Sequence, residues 1–232
     1  DVYKRQVHND RYPFYTSSSL NMKKHFNQFA HWLKEKYLHH GSKLIEVGSN
    51  DGTLLENFKN TNVEAIGFEP SITIAELANK KNIKTLSKFF NTQNLDEIKN
   101  FHSSVDVICS ANVIAHIPDL KDVIKCVDKL LSSKGLLIFE EPYLGSMFSK
   151  ISYDQIYDEH IFMFSVNSIK KIFDLFDFEL IDVLPQVTHG GSMRYVISRK
   201  NKHKKSEIVS RFLDEEQSKK LDTIESCLDF KK

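Results

Sequence analysis

Lys43-Leu44-Ile45-Glu46-Val47-Gly48-Ser49-Asn50-Asp51-Gly52 is the stretch whose reading decides the fold. The apolar run over 44–47 predicts a buried parallel strand, and Gly48-Ser-Asn-Asp-Gly52 ends it abruptly. Thr53-Leu54-Leu55-Glu56-Asn57-Phe58 then reads as helix. Glycine in such a turn lets a ligand approach the backbone, and a helix N-terminus offers unpaired N–H groups. A small polar ligand is expected there.

The alternation continues outward from this unit. Upstream, a helix is expected over about 20–37, with Phe26, Phe29, Ala30, Leu33 and Tyr37 on one face. Downstream, strands are expected at 63–68, 82–86, 105–110 and 135–139. Helices are expected at 70–80, about 91–100 and 119–132. Five strands alternating with helices predict a parallel sheet covered on both faces, a doubly wound α/β domain. Residues 143–160 read as irregular and aromatic. A helix follows over 165–176, with Ser165 as N-cap. Strands at 178–184 and 192–198 have no helix between them and predict an antiparallel pair. The stretch 206–230 reads as a charged helix that cannot bury itself.

The 232 residues are 41% hydrophobic and 27% charged, enough for a real core. Lys and Arg total 32 against 31 Asp and Glu. That balance predicts neither nucleic acid nor an anionic membrane surface as partner. The basic run 199–205 reads as a solvated linker. Cys109, Cys126 and Cys227 form no CxxC pair, so neither a metal site nor a disulfide framework is expected. With no signal-peptide pattern and no long apolar segment, the cytoplasm is the expected compartment. The sequence contains no internal repeat.

Two ligands compete for the glycine turn. A dinucleotide site wants G-x-G-x-x-G. The spacing here is Glu46-x-Gly48-x-x-x-Gly52, without the first close glycine pair. Glu69 stands at the end of the second strand, where a carboxylate can hold a ribose diol. Five α/β units followed by an antiparallel pair are not the usual dehydrogenase ending.

On these residues the chain resembles the class I S-adenosylmethionine-dependent methyltransferases. The resemblance implies a Rossmann-like, mostly parallel seven-stranded sheet with an antiparallel last strand. It implies cofactor contacts from Glu46, Gly48, Asn50, Asp51, Gly52, Glu69, Pro70, Phe90, Asn91 and Asn112, with Phe89-Phe90-Asn91 near the adenine. A narrower resemblance rests on Asn112-Val-Ile-Ala-His116-Ile-Pro-Asp119, Glu141-Pro-Tyr-Leu144, Tyr157-Asp-Glu159-His160 and His189-Gly-Gly-Ser-Met-Arg194. Tyr12-Pro-Phe-Tyr15 with the following serines adds to it. These segments are similar to the sugar-nucleotide C-methyltransferases of deoxysugar biosynthesis.

That narrower resemblance implies deprotonation beside the ketone of a nucleotide-linked keto-deoxysugar, then in-line methyl transfer. A base of near-neutral pKa is needed, and histidine is the natural one. His160 is then the base. Tyr157 and Glu159 orient the sugar or shuttle protons, and Asn112 and His116 lie beside the methyl group. Tyr12, Tyr15, His189 and Arg194 are substrate candidates. Family members also carry a four-cysteine zinc lobe and a C-terminal Rossmann-like domain. The chain accordingly reads as the central part: an N-terminal segment over 1–19, the methyltransferase domain over 20–200, and a charged tail over 201–232 that begins a linker.

The plainer readings of the same residues are structural. Tyr12 to Ser19 can be an aromatic plug with an N-cap serine, His116 a packing histidine, Tyr157–His160 surface polarity, and His189 the flank of a turn. An O- or N-methyltransferase, or a cofactor-binding module without turnover, are the functional rivals.

Overall fold

The computed structural model describes residues 14–230, so the candidate Tyr12 lies outside the described residues. The strands are β1 (Lys43–Val47), β2 (Glu64–Phe68), β3 (Thr85–Leu86), β4 (Val105–Ala111), β5 (Leu131–Pro142), β6 (Phe178–Gln186) and β7 (Ser192–Arg199). Their hydrogen-bonded order is β3-β2-β1-β4-β5-β7-β6, the expected mostly parallel seven-stranded sheet. The chain divides into two compact units. The first is residues 14–110 with 121–135, and the second is 111–120 with 136–230.

In the first unit β1 lies parallel to both β2 and β4, with Glu46 opposite Gly67 on one side and Cys109 on the other. A central parallel strand is covered on both faces, and accordingly Leu44 to Val47 are all buried. Helix α1 (Leu20–Lys36) starts where the Ser19 hydroxyl accepts from the Met22 amide, and it buries Phe26, Phe29, Ala30 and Leu33. Helices α2 (Ile72–Lys80) and α3 (Leu120–Leu130) match their expected spans to within two residues.

The helix expected after Gly52 is instead a short 3-10 turn, Leu55–Phe58. Asn57 Nδ2 donates to the Thr53 and Leu54 carbonyls at 3.1 and 3.0 Å, taking acceptors an α-helix would use. The segment 91–100 is likewise 3-10, Thr92–Phe101, broken at Ile98 by non-helical dihedrals.

In the second unit β7 runs antiparallel to both β5 and β6, as the two consecutive strands predicted. Helix α5 (Val166–Asp174) is closed by a capping box in which Ser165 and Ser168 exchange side-chain and backbone bonds. Residues 143–160 are less irregular than expected, because they contain helix α4 (Leu144–Lys150).

The tail departs most from expectation. It forms two helices, α6 (Glu207–Ser218) and α7 (Ile224–Phe230), separated by a break at Lys220 with φ of 52°. Far from lying unburied, α6 packs on α5 and β6. Glu216 is 3% exposed. Its carboxyl accepts from the Tyr143 hydroxyl at 2.8 Å and from the Val166 and Asn167 amides at 2.6 and 2.8 Å. A side chain that reads as surface charge is thus the cap of a neighbouring helix. The basic run is held by Glu179, which accepts from the Asn201 amide and pairs with Lys205 at 2.8 Å.

Candidate active site

The glycine turn of the first unit is built from left-handed residues: Gly48, Asn50 and Gly52 have φ of 70°, 48° and 79°. Gly48 and Ser49 both donate their amides to the Phe68 carbonyl at the end of β2. A Cβ on Gly52 would lie 2.7 Å from Ile83 Cδ1 at a φ of 79°, so a side chain there must displace Ile83 and hold a strained backbone.

Three carboxyl groups converge on this turn. Glu46 is buried, and burial, then Glu69 and Asp51, push its carboxyl well above the ordinary range. Its Oε2 is buried without a hydrogen-bond partner among the described residues. Glu69 is also raised by burial, although Ser71 and Asn50 amides donate to it at 2.9 and 3.1 Å. Burial raises Asp51 too, but donation from Ser17 and Thr53 and the charge of Lys81 outweigh it and hold it low. A surplus of buried acid with an unpartnered oxygen fits a cationic ligand, and S-adenosylmethionine carries an ammonium and a sulfonium.

Not every residue expected at the cofactor presents its side chain to solvent. Asn50 Oδ1 accepts from the Thr16 amide at 2.9 Å, and its Nδ2 donates to the Phe14 carbonyl at 3.1 Å. With Asp51 accepting from Ser17, the two side chains hold the segment carrying Phe14 and Tyr15 over the turn. Tyr15 is half-exposed there. Pro70 follows Glu69 directly. Phe90 is buried edge-on to Phe68, with ring centres 5.2 Å apart. Asn91 caps the 3-10 segment by accepting from the Asn94 amide.

The second unit gathers Asn112, His116, Tyr157, Glu159 and His160. Asn112 has a left-handed φ of 58°, donates its amide to the Glu140 carbonyl at 2.8 Å, and leaves Oδ1 buried without a partner among the described residues. His116 closes the short turn Ile114–His116, with Nδ1 2.8 Å from the Glu159 carbonyl. His160 Nδ1 is 2.8 Å from the Gln155 carbonyl. A carbonyl only accepts, so each Nδ1 carries a proton. The Tyr157 hydroxyl lies 2.9 Å from His160 Nε2 and is the donor to the neutral ring. The His116 and His160 rings are 5.0 Å apart. Burial, then Glu159 and Glu141, raise the Tyr157 hydroxyl above its ordinary value, which disfavours a free phenolate.

Two substrate candidates sit elsewhere in this unit. Arg194 is 5% exposed and paired with buried Glu140, Nη2 to Oε1 at 2.5 Å and Nε to Oε1 at 2.7 Å. His189 is exposed in a turn with φ of 50°.

Glu141 stands in a motif of the narrower resemblance, but the sequence assigned it no role. It is fully buried, its Oε1 accepts from the Val113 and Ile114 amides at 2.9 and 2.6 Å, and its Oε2 has no partner among the described residues. In the sequence it is one of two adjacent strand-end acids. The apolar run before it and Pro142 after it are the only signal that it ends inside rather than outside.

The strand order, the glycine turn and the strand-end acid define a class I S-adenosylmethionine-dependent methyltransferase fold. The chain belongs to the methyltransferase domain family, which it matches over residues 21–183. Residues 187–232 match a second family, described as the C-methyltransferase C-terminal domain. Over 179 residues the chain is 30% identical to the C-methyltransferase NovU of Streptomyces niveus, which covers 77% of this chain and 43% of that protein. It thus spans less than half the length of that relative.

Two solved structures share the fold. Magnesium protoporphyrin IX methyltransferase of Synechocystis PCC 6803, with bound SAH, has a TM-score of 0.59 and 14% identity over 77% of this chain and 83% of that one. The PH0226 protein of Pyrococcus horikoshii OT3 has a TM-score of 0.61 and 16% identity over 85% and 99%. Among the described residues no group of His, Cys, Asp and Glu is arranged to hold a metal. No helix there is long and apolar enough to cross a membrane.

Proposed function

We propose that the chain carries out S-adenosylmethionine-dependent C-methylation of a nucleotide-linked keto-deoxysugar. The observation that carries this reading is the run Tyr157 Oη–H to His160 Nε2, with His160 Nδ1–H on the Gln155 carbonyl. An O- or N-methyltransferase acts on an atom that already has a lone pair. A carbon beside a ketone must first lose a proton, and this run is a proton acceptor with its tautomer fixed in advance.

The cofactor, when bound, supplies an electrophilic methyl group. Glu46, Gly48, Gly52 and Glu69 of the first unit hold it, the acids by charge and the glycines by close backbone approach. In the second unit the Tyr157 oxygen takes the proton from the carbon as its own proton passes to His160 Nε2. The imidazolium that results is held at Nδ1 by the Gln155 carbonyl. Because Tyr157 resists free ionisation, His160 is the ultimate acceptor. Asn112 Oδ1, buried without a partner among the described residues, accepts from a hydroxyl or ammonium of a bound ligand, and His116 hydrogen-bonds the sugar. Cytoplasmic location and a sugar-nucleotide substrate, with neither nucleic acid nor membrane as partner, accompany this reading.

The test is solvent deuterium exchange at the carbon next to the ketone, with the chain, S-adenosylhomocysteine and a thymidine-diphosphate keto-deoxysugar. Exchange is expected with the native chain and absent with His160→Ala. No exchange with the native chain overturns the enolate reading, and methyl transfer that survives His160→Ala favours an O- or N-acceptor.

A further inference from the structure

His160 stands on a loop that does little to hold itself. Residues 151–161 contain only the short turn Tyr153–Gln155, and Ile151, Tyr153, Ile156, Tyr157 and Ile161 are exposed. Within the loop His160 is fixed by its amide on the Tyr157 carbonyl and by Nδ1 on the Gln155 carbonyl. The loop is anchored at one end by Phe230, which accepts from the Tyr153 hydroxyl and stacks on its ring at 4.6 Å, and at the other by the Asn112–His116 turn. The Ala115 carbonyl accepts from the Ile161 and Phe162 amides at 3.0 and 3.3 Å, immediately after His160. His116 Nδ1 donates to the Glu159 carbonyl, immediately before it. The turn therefore grips the loop on both sides of His160.

What grips the turn is Glu141. One oxygen at the end of β5 collects the Val113 and Ile114 amides. We infer that Glu141 is a positioning residue: it fixes the Asn112–His116 turn and, through Ala115 and His116, sets where His160 stands. This rests on the reading of Tyr157 and His160 as the proton-accepting pair. Glu141 touches neither ring. Its part is to keep the turn's buried amides satisfied in one arrangement, since an unpaired buried amide would shift the turn to find another acceptor. Burial pushes its carboxyl up to about 8, so near neutrality it is a neutral acid whose carbonyl oxygen does the accepting. A glutamine carbonyl can take that place. An alanine cannot, and an aspartate is one methylene too short.

The experiment uses the full chain labelled with 15N-histidine and reads ring tautomers by long-range proton–nitrogen spectra, with no substrate present. The native chain and Glu141→Gln are expected to show both His116 and His160 protonated at Nδ1. Glu141→Ala and Glu141→Asp are expected to show averaged tautomers at both rings. Deuterium exchange should then fall about 100-fold, the scale of a misplacement near 1 Å. Native tautomer signals in both Glu141→Ala and Glu141→Asp overturn the inference, as does loss of the signals in Glu141→Gln. If Glu141→Ala does not fold, the aspartate and glutamine variants decide it alone. A native chain that shows both tautomers but exchanges no sugar proton refutes the proposed reaction and leaves the positioning role standing.

Discussion

The buried acid at Glu141 makes stability depend on pH in a direction opposite to that of an ordinary paired carboxylate. Burial is the largest cause of its shift, the amides of residues 113–115 oppose it, and Glu140 adds to it. In the unfolded chain the same carboxyl titrates near 4.5, and in the folded chain at about 8. Below 4.5 both states are protonated and the group is neutral to folding. Between 4.5 and 8 the unfolded chain ionises and the folded chain does not, so stability falls as pH rises. Above 8 both are ionised and the loss levels off. At about 1.4 kcal/mol per pH unit, the loss across this interval comes to about 5 kcal/mol. Glu141→Gln keeps the accepting carbonyl and removes the titration. Urea unfolding of the native chain and this variant at pH 5, 7 and 9 measures the difference. The variant should gain on the native chain by about 3 kcal/mol from pH 5 to pH 7, and by a smaller further amount to pH 9. Glu46 and Glu69 are present in both chains and cancel in the comparison. A gap that does not widen with pH refutes the argument, because the carboxyl would then be ionised at the same pH folded and unfolded.

Glu216→Ala leaves the Tyr143 hydroxyl and the Val166 and Asn167 amides without their buried acceptor. It should cost about 3–5 kcal/mol, seen as a melting temperature lower by about 10 °C and as early proteolysis beyond residue 206. Gly52→Ala must place a Cβ against Ile83 at 2.7 Å with φ of 79°. A loss of about 1–3 kcal/mol in stability is expected, with calorimetric binding of S-adenosylmethionine weakened at the same time. Unchanged values on both measures would show that the turn relaxes freely. Glu69→Gln should weaken S-adenosylmethionine binding about 10- to 100-fold, the worth of a charge-assisted hydrogen bond to a hydroxyl. Equal affinity would remove Glu69 from the site.

The parts of the fold that could be read from the sequence are those where one local rule acts alone. Leu44, Ile45 and Val47 are apolar because a central parallel strand has no wet face, and Ser165 lies where a helix must begin. Residues 144–150 went unread because helix α4 buries little besides Gly145 and Met147, so it has no apolar stripe to detect. The helix after Gly52 was misread because Asn57 turns its own amide back on the carbonyls, a competition that no periodicity reveals. Glu216 and Glu141 share a deeper difficulty. Nothing in Asp214-Glu215-Glu216 marks which acid faces inward, and Glu141 finds its partners 28 and 27 residues earlier in the chain. Long-range satisfaction of backbone amides is a property of the folded molecule. The candidate histidines and Tyr157 were legible through their motifs, but the proton at each Nδ1 came from the carbonyls of Gln155 and Glu159.

The Glu216 cap also bears on where this chain can be cut. A boundary drawn after β7, near residue 200, follows the last strand and looks natural on sequence grounds. It would remove the acceptor at the start of α5 and strip the partner from the Tyr143 hydroxyl, which opens the segment leading to Tyr157 and His160. Leu221, buried past the end of α6, marks the minimum. A shortened chain meant for crystallography or for fusion to another domain should therefore retain residues through at least 221, or it will report the behaviour of an uncapped helix as though it were that of the enzyme.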